Sequence, residues 1–219
     1  MKNKNYYPVN LDLQGRQCLV VGGGDIAGHK VRALLECGAL VTVISPIIKA
    51  GLQSLVRSKK ICYIKDQYQK QYLKGVFLVI AATNVPSVNS MIAKQAAARN
   101  LLVNVVDVPD LCNFIVPAVI RRGPLVLGIS TSGHSPLFAQ TMKVKCEKCA
   151  TPALGSFIKM MGDSRKEVQA CCDTTSRRKD VYMEMINSPM LSLLEQGKVR
   201  EARQTLHDIM ARSTCGPKI

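Results

Sequence analysis

The sequence contains no tryptophan, and aromatic residues make up only 5% of its 219 residues. Proteins that bind nucleic acid commonly alternate basic side chains with aromatic ones that stack on bases, so this composition argues against a nucleic-acid partner. Long apolar runs are also missing. None approaches the roughly 20 residues that span a bilayer, and the first residues lack the apolar stretch of a secretion signal. We therefore expect a cytoplasmic protein without a membrane partner.

Acidic residues are scarce, because 15 Asp and Glu stand against 30 Lys and Arg, which gives a formal net charge of +15. Hydrophobic residues make up 47% of the chain, so it can bury a core and is not a disordered tail. The positive excess is concentrated in residues 1–149, whereas the remaining residues are nearly balanced. Such an excess indicates either a small polyanionic metabolite as partner or a basic surface that only serves solubility.

Nine cysteines are an odd number for a chain held by disulfides, and in the cytoplasm we expect them to be thiols. Cys146 and Cys149, together with the adjacent Cys171 and Cys172, superficially resemble a metal site. The adjacent residues Cys171 and Cys172 cannot easily bind the same tetrahedral metal ion as a Cys-x-x-Cys pair on a helix. We therefore expect these side chains either to pack as small apolar groups or to lie on helices without a role, and we predict no metal centre.

Strands and helices alternate in the first half of the chain. Residues 17–22 are a short apolar run typical of a buried strand, and a glycine turn, a helical pattern and a second strand over residues 40–44 follow. Three further strands are predicted at residues 61–64, 76–81 and 101–106, and a helix is predicted at residues 86–99. This order predicts the α/β class, with a doubly wound, Rossmann-type parallel sheet in a domain of residues 1–115.

The pattern changes after residue 115. Two apolar runs, residues 115–120 and 125–129, flank a short polar turn and predict a β-hairpin. Ser135 followed by Pro136 is a good N-cap and first-turn pair for the next helix. The hairpin and this helix together form a predicted segment of residues 116–149.

The last segment, residues 150–219, is predicted to be a helical domain. Ser188 and Pro189 interrupt its helical pattern. Apolar side chains recur there at helical spacing, at Met183, Ile186, Met190, Leu193 and Leu194.

A glycine motif, Gly22-x-Gly24-x-x-Ala27, lies between the first predicted strand and the first predicted helix. Glycine allows the tight turn and lets the backbone approach a diphosphate, and a small third residue lets helix and strand pack closely. The helix N-terminus offers N–H groups to the anion. In this setting the motif predicts dinucleotide binding, and a plain tight turn is the alternative.

The end of the second strand bears on cofactor choice, because an acidic residue there would hydrogen-bond the ribose and exclude a 2′-phosphate. Ser45 stands at that position, followed by Pro46 and Ile47. Ser45 can still bond a ribose, and Lys49 is close enough in sequence to tolerate a phosphate. The sequence therefore does not exclude NADP.

Two further features are candidates for substrate chemistry. Asp107 follows a predicted parallel strand, at the edge where open α/β sheets bind ligands, so its carboxylate can meet a substrate beside a nicotinamide. It can equally cap a turn before Pro109, and its position alone leaves both roles open.

The second candidate is a loop rich in hydroxyl groups. It consists of Ser130, Thr131, Ser132, Gly133, His134 and Ser135. Such a loop can hold the carboxylates of a ligand. His134 is either an exposed loop residue or a proton carrier.

Together these segments resemble the precorrin-2 dehydrogenase and sirohydrochlorin ferrochelatase family, the siroheme-synthase N-terminal module that occurs alone or fused to a methyltransferase. The matching segments, within residues 8–150, are VVGGGDIAGHK, VTVISP, AATN and NVVDVPDLCNFIVPAVIRRGPLVLGISTSGHSP. The length leaves no room for the fused methyltransferase, so we expect the stand-alone form.

The resemblance implies oxidation of precorrin-2 to sirohydrochlorin with NAD as hydride acceptor, in siroheme biosynthesis. The acetate and propionate groups of precorrin-2 would be the polyanion that the charge predicts. The family's active-site aspartate corresponds to Asp107, which we expect to accept the proton that leaves with the hydride. Some members also insert Fe²⁺ into sirohydrochlorin and others only dehydrogenate.

The resemblance also implies a cofactor site and a partner subunit. The hairpin and the following helix build a homodimer in the family, with substrate clefts shared between subunits. His134 departs from the family pattern. The expected cofactor-binding residues are Gly22, Gly23, Gly24, Asp25, Ile26, Ser45, Pro46, Ile47, Thr83 and Asn84.

A nucleotide-sensing regulatory domain without enzymatic activity is the alternative function. Such a domain shares the glycine turn but needs neither an acid at the strand edge nor a hydroxyl-rich loop. Substitution of Asp107 discriminates the two, because a sensor would keep its ligand-linked behaviour and an enzyme would lose turnover.

Overall fold

The computed structural model describes residues 4–214; the ends of the predicted outer domains, residues 1–3 and 215–219, lie outside the described residues. The chain divides into two compact units, the first ending at Val116 and the second beginning at Pro117. The predicted fold class is confirmed, because a parallel sheet with helices precedes a hairpin and a helical region. The hairpin and all later helices share the second unit, so a separate segment of residues 116–149 stays a prediction.

The first unit is built on a parallel sheet of five strands in the order β3-β2-β1-β4-β5. The strands are β1 (Gln17–Val21), β2 (Leu40–Ile44), β3 (Cys62–Ile64), β4 (Leu78–Ala81) and β5 (Leu102–Val105). The helices are α1 (Asp25–Glu36), α2 (Ala50–Arg57) and α3 (Pro86–Ala97). The sequence does not predict α2, because eight residues with one buried side chain, Leu52, leave too short a periodic pattern.

Both faces of the sheet are buried. Cys18 and Val20 of β1 pack in one apolar cluster with α1, and Leu19 and Val21 pack in a second cluster with α3. Since successive side chains of a strand point to opposite faces, burial on both sides requires a continuous apolar run. All five strands end at the same edge of the sheet, and that edge is where the chain enters its glycine turn.

The second unit begins with an antiparallel hairpin of β6 (Ala118–Arg122) and β7 (Leu125–Ile129). The first strand starts three residues later than expected and includes both arginines of the expected polar turn. Helix α4 (Pro136–Glu147) follows, and Ser135 accepts a hydrogen bond from the backbone N–H of Phe138. The predicted N-cap is therefore confirmed.

Helices α5 to α9 complete the second unit. They are α5 (Pro152–Asp163), α6 (Arg165–Cys171), α7 (Thr175–Asn187), α8 (Met190–Glu195) and α9 (Val199–Thr214). The predicted break at Ser188 and Pro189 separates α7 from α8. Within the described residues, 4–214, every helix is too short or too polar to cross a membrane.

The buried side of α7 differs from the apolar pattern of the sequence. Val181 and Met185 are buried, whereas Met183 is 44% exposed and Ile186 is 51% exposed. Apolar residues occur on both sides of this helix, so their spacing alone does not reveal which side faces the core. In α8, Met190 is fully buried, as the pattern suggests.

Candidate functional site

Three glycines, Gly22, Gly23 and Gly24, connect β1 to α1. Gly22 has a φ of +128°, and a Cβ there would lie 2.2 Å from the carbonyl oxygen of Ala82. A Cβ on Gly23 would lie 1.9 Å from the carbonyl oxygen of Ile47. Only glycine lets this turn pass so close to the loops that follow β2 and β4. At Gly24, in contrast, a Cβ would meet open space.

A pocket of about 850 Å³ opens at the glycine turn, at the carboxyl ends of β1, β2 and β4. Its volume is within the range of cofactor pockets. It brings together all ten residues expected to bind the cofactor, namely Gly22, Gly23, Gly24, Asp25, Ile26, Ser45, Pro46, Ile47, Thr83 and Asn84. The pocket is also lined by Lys49, Asp66, Gln67 and Tyr68. No sequence motif marks the last three as pocket residues.

The amino end of α1 faces this pocket and fits an anion. Its N-cap is Gly24, which has no side chain to accept the N–H groups of the first helical turn. Those N–H groups and the positive end of the helix dipole suit a diphosphate. Asp25, in the same turn, forms an ion pair of 2.5 Å with Lys49. The hydrogen bond from Lys49, reinforced by its charge, lowers the pKa of Asp25.

The loop after β4 is fixed by Asn89 of α3, a buried polar residue that sequence reasoning missed. Its amide oxygen accepts a hydrogen bond of 2.7 Å from the hydroxyl of Thr83, and its amide nitrogen donates one of 3.0 Å to the Thr83 carbonyl. A polar residue inside a helix gives no signal of such a contact. The effect is that Thr83 and Asn84 are held at the pocket wall by a rigid helix.

Asp107 lies two residues beyond β5 and is exposed. The backbone N–H of Val106 donates to the carbonyl of Ala81 at 2.9 Å, so β5 continues its pairing with β4 up to the residue before Asp107. This pairing puts Asp107 at the same edge of the sheet as the pocket, although it is not one of the pocket-lining residues. Its φ of +61° is a conformation that aspartate tolerates better than most residues.

The loop that carries Asp107 is held in place by Cys112, whose role sequence reasoning also missed. The buried sulfur accepts a hydrogen bond of 3.1 Å from the N–H of Val105 and lies 3.3 Å from the carbonyl oxygen of Val108. Burial raises the pKa of this thiol, so it stays protonated and can donate. Lys4 donates to the Cys112 carbonyl at 2.9 Å. The turn at Asp107 is thus fixed from both sides.

Cys112→Ala is expected to lower the free energy of unfolding by about 1–3 kcal/mol, because it leaves buried backbone groups without their sulfur partner. Urea unfolding followed by circular dichroism measures this change. Cys62→Ala is the matched control, since Cys62 is exposed on β3. Equal stability of the two variants would show that the sulfur contacts do not hold the loop.

The predicted substrate loop belongs to the second unit. The hydroxyl oxygen of Ser130 accepts the N–H of Ser132 at 3.0 Å, and that of Thr131 accepts the N–H of Ser135 at 3.0 Å. His134 is exposed, with its Nδ1 3.0 Å from the carbonyl oxygen of Thr131. The loop is therefore ordered by its own side chains, and its role in substrate binding stays a prediction.

The cysteines singled out by their spacing form no centre in the described part of the chain. Eight cysteines lie there, and none of them is in a disulfide. The sulfur atoms of Cys171 and Cys172 are 3.6 Å apart, and Cys172 packs in the apolar core of the second unit. Residues 4–214 contain no group of three or more His, Cys, Asp or Glu placed to hold a metal ion.

Both units of the chain resemble parts of known proteins. A family model described as putative NAD(P)-binding matches residues 9–118, and one described as the sirohaem synthase dimerisation region matches residues 153–210. The siroheme synthase of Photobacterium profundum is 34% identical over 202 residues, which are 92% of this chain and 43% of that protein. The siroheme synthase of Psychrobacter cryohalolentis is 35% identical over 198 residues, 90% of this chain and 38% of that protein.

The chain thus spans less than half the length of the curated relatives it matches. A solved structure titled "SirC, precorrin-2 dehydrogenase" superposes with a TM-score of 0.76 and 28% identity. The alignment covers 93% of this chain and 98% of that one. The chain therefore belongs to the NAD(P)-binding family of siroheme synthases and precorrin-2 dehydrogenases, as its motifs predict.

Proposed function

We propose that the protein oxidises precorrin-2 to sirohydrochlorin with NAD⁺, a step of siroheme biosynthesis. The observation that carries the proposal is the exposed carboxylate of Asp107 at the sheet edge where the dinucleotide pocket opens. Family membership supports the same reaction, because a solved relative is titled precorrin-2 dehydrogenase. A nucleotide-sensing domain would have no use for a carboxylate held at that edge.

The residues of the pocket fit a dinucleotide. The glycine turn brings backbone N–H groups of α1 to a diphosphate, and the loops after β2 and β4 form the walls on either side. NAD⁺, when bound, supplies the acceptor for the hydride. Dehydrogenation also releases a proton, and Asp107 is the base that we assign to it. The hydrogen bonds of Cys112 keep the turn at Asp107 in one conformation for that transfer.

Precorrin-2 carries several carboxylates, and a formal charge of +15 favours a substrate of that kind. We assign its carboxylates to the loop of Ser130, Thr131, Ser132, His134 and Ser135. The hydroxyls of Ser130, Thr131 and Ser135 each accept a backbone N–H, so their own O–H protons can be donated to an anion. Lys143 and Lys145 of α4 add positive charge to the same unit.

A homodimer built from the second unit is part of the proposal. Support comes from the match of residues 153–210 to a sirohaem synthase dimerisation region. Large apolar side chains are also exposed on this unit, at Leu137, Phe138, Val144, Met183 and Ile186. Sedimentation equilibrium should give twice the chain mass, and a monomer at micromolar concentration would contradict this part. A cytoplasmic location stays a prediction.

The test of the activity is anaerobic incubation of the protein with precorrin-2 and NAD⁺. We expect NADH and the sirohydrochlorin spectrum to appear together in equal amounts. Unchanged spectra with both NAD⁺ and NADP⁺ would contradict the proposed reaction, and tight NAD⁺ binding in that case would favour the sensor. Addition of Fe²⁺ to the product then tests iron insertion, which stays a prediction from the resemblance.

A further inference from the structure

The end of β2 lacks the carboxylate that usually accepts a hydrogen bond from the ribose of NAD. Two polar side chains near this end already have partners within the protein. The hydroxyl of Ser45 donates to the carbonyl of Ile47 at 2.7 Å, and Ser45 is 9% exposed. Lys49, the residue that a 2′-phosphate would need, is in the ion pair with Asp25. Neither side chain explains how the pocket distinguishes NAD from NADP.

The neighbouring strand supplies a carboxylate at the same level. In the parallel pair of β2 and β3, Ile44 lies opposite Ile64. Pro46 and Asp66 each come two residues after this last pair, and both line the pocket. Asp66 therefore stands one strand away from the position where the sequence lacks an acid.

The carboxylate of Asp66 is fixed and ionised. It accepts hydrogen bonds from the Tyr72 hydroxyl at 2.5 Å, the Gln67 backbone N–H at 2.7 Å and the Gln69 amide at 2.8 Å. These bonds, that of Tyr72 first, lower the pKa of Asp66. Its three donors are neutral, so the negative charge is not cancelled. Because a carboxylate has about four acceptor positions, one remains for a ligand.

The direction of the dinucleotide follows from the order of the strands. Asp107 lies beyond β5 at one side of the sheet, and Asp66 lies beyond β3 at the other. If Asp107 serves the reaction proposed above, the reacting nicotinamide must point towards β5. The adenosine half then lies over the ends of β2 and β3, where Asp66 is.

Two basic residues in this region do not face the same space. Arg57 and Lys65 line a separate cavity of about 500 Å³, which shares only Pro46 and Ile47 with the dinucleotide pocket. A phosphate on the ribose in the main pocket would therefore meet the charge of Asp66 before it met these cations.

We propose that Asp66 selects the cofactor: its carboxylate accepts a hydrogen bond from the adenosine ribose and repels a 2′-phosphate, so the protein binds NAD in preference to NADP. The inference rests on the proposed function for the direction of the cofactor. It decides a choice that the sequence left open, because Lys49 did not exclude NADP.

The experiment is isothermal titration of NAD⁺ and NADP⁺ into the full chain without substrate. We expect wild-type protein to bind NADP⁺ at least about tenfold more weakly than NAD⁺, because NADP⁺ both loses the ribose hydrogen bond and brings a second negative group to the carboxylate. Asp66→Asn should bring the two dissociation constants to within about threefold of each other. Asp66→Ser is a second variant with the same expected result, in case the amide disturbs the loop.

Glu36→Gln is the matched control, because it removes one negative charge from an exposed residue at the end of α1 opposite the pocket. It should preserve the wild-type preference. Equal binding of both nucleotides by wild type, an unchanged ratio in both Asp66 variants, or an equal loss of preference in Glu36→Gln would overturn the inference and leave the proposed function standing. Failure of wild type to bind either nucleotide would overturn both.

Discussion

Replacement of Asp107 by asparagine should lower kcat for precorrin-2 oxidation by about 10²–10⁴-fold, the usual contribution of a general base. Asparagine has nearly the same shape but cannot accept the proton. Asp107 is exposed and does not line the dinucleotide pocket, so the dissociation constant of NAD⁺ should stay within about twofold of wild type. A loss of turnover without a loss of binding is the mark of a group that acts on the reaction itself.

Asp110→Asn is the matched control for this prediction. Asp110 is an exposed aspartate of the same loop, three residues further on, and its substitution changes the net charge equally. We expect it to keep wild-type kcat in the anaerobic assay. If Asp110→Asn were as slow as Asp107→Asn, the local charge and not a specific base would control the rate. Full activity of Asp107→Asn would remove the proposed base altogether.

The second large effect is expected at the glycine turn, where two neighbouring substitutions should fail in different ways. Gly22→Ala puts a Cβ 2.2 Å from a backbone carbonyl oxygen and forces alanine to a φ of +128°. The Ala82 carbonyl and the central strands β1 and β4 can move apart only at the expense of their packing. We therefore expect the free energy of unfolding to fall by about 3 kcal/mol or more. Thermal and urea unfolding measure it.

Gly24→Ala tests binding instead of folding. Its φ of −83° suits alanine and its Cβ would meet open space, so stability should stay within about 0.5 kcal/mol of wild type. The new methyl group stands where the backbone approaches the diphosphate, and we expect NAD⁺ affinity to fall by about tenfold or more. Wild-type affinity in Gly24→Ala would mean that the diphosphate does not bind at this turn.

The sheet and the glycine turn could be predicted because their signals are local. Each strand is an apolar run buried on both faces, and the turn is a glycine motif between two such elements. The start of the helix after Ser135 could be predicted equally well, because its capping hydrogen bond joins residues only three positions apart. Strand boundaries differed by at most three residues, most clearly in the hairpin, where pairing with β7 extends β6 to Arg122.

The rest of the site depends on side-chain contacts and strand neighbours that no sequence motif marks. Asn89 reaches Thr83 only because α3 packs beside the loop after β4. Cys112 reaches Val105 because the loop turns back along β5. Asp66 becomes relevant only when β3 is seen to lie next to β2. A single sequence gives neither these side-chain hydrogen bonds nor the lateral order of the strands, so these three residues looked like ordinary loop or helix positions.

The measurement that tests the central claim most directly is a crystal structure of the protein with NAD⁺. We expect the diphosphate on the N–H groups at the start of α1, beside Gly24, and the nicotinamide ring on the β5 side, towards Asp107. A nicotinamide on the β3 side, against Asp66, or a dinucleotide bound away from the glycine turn would contradict the proposed oxidation.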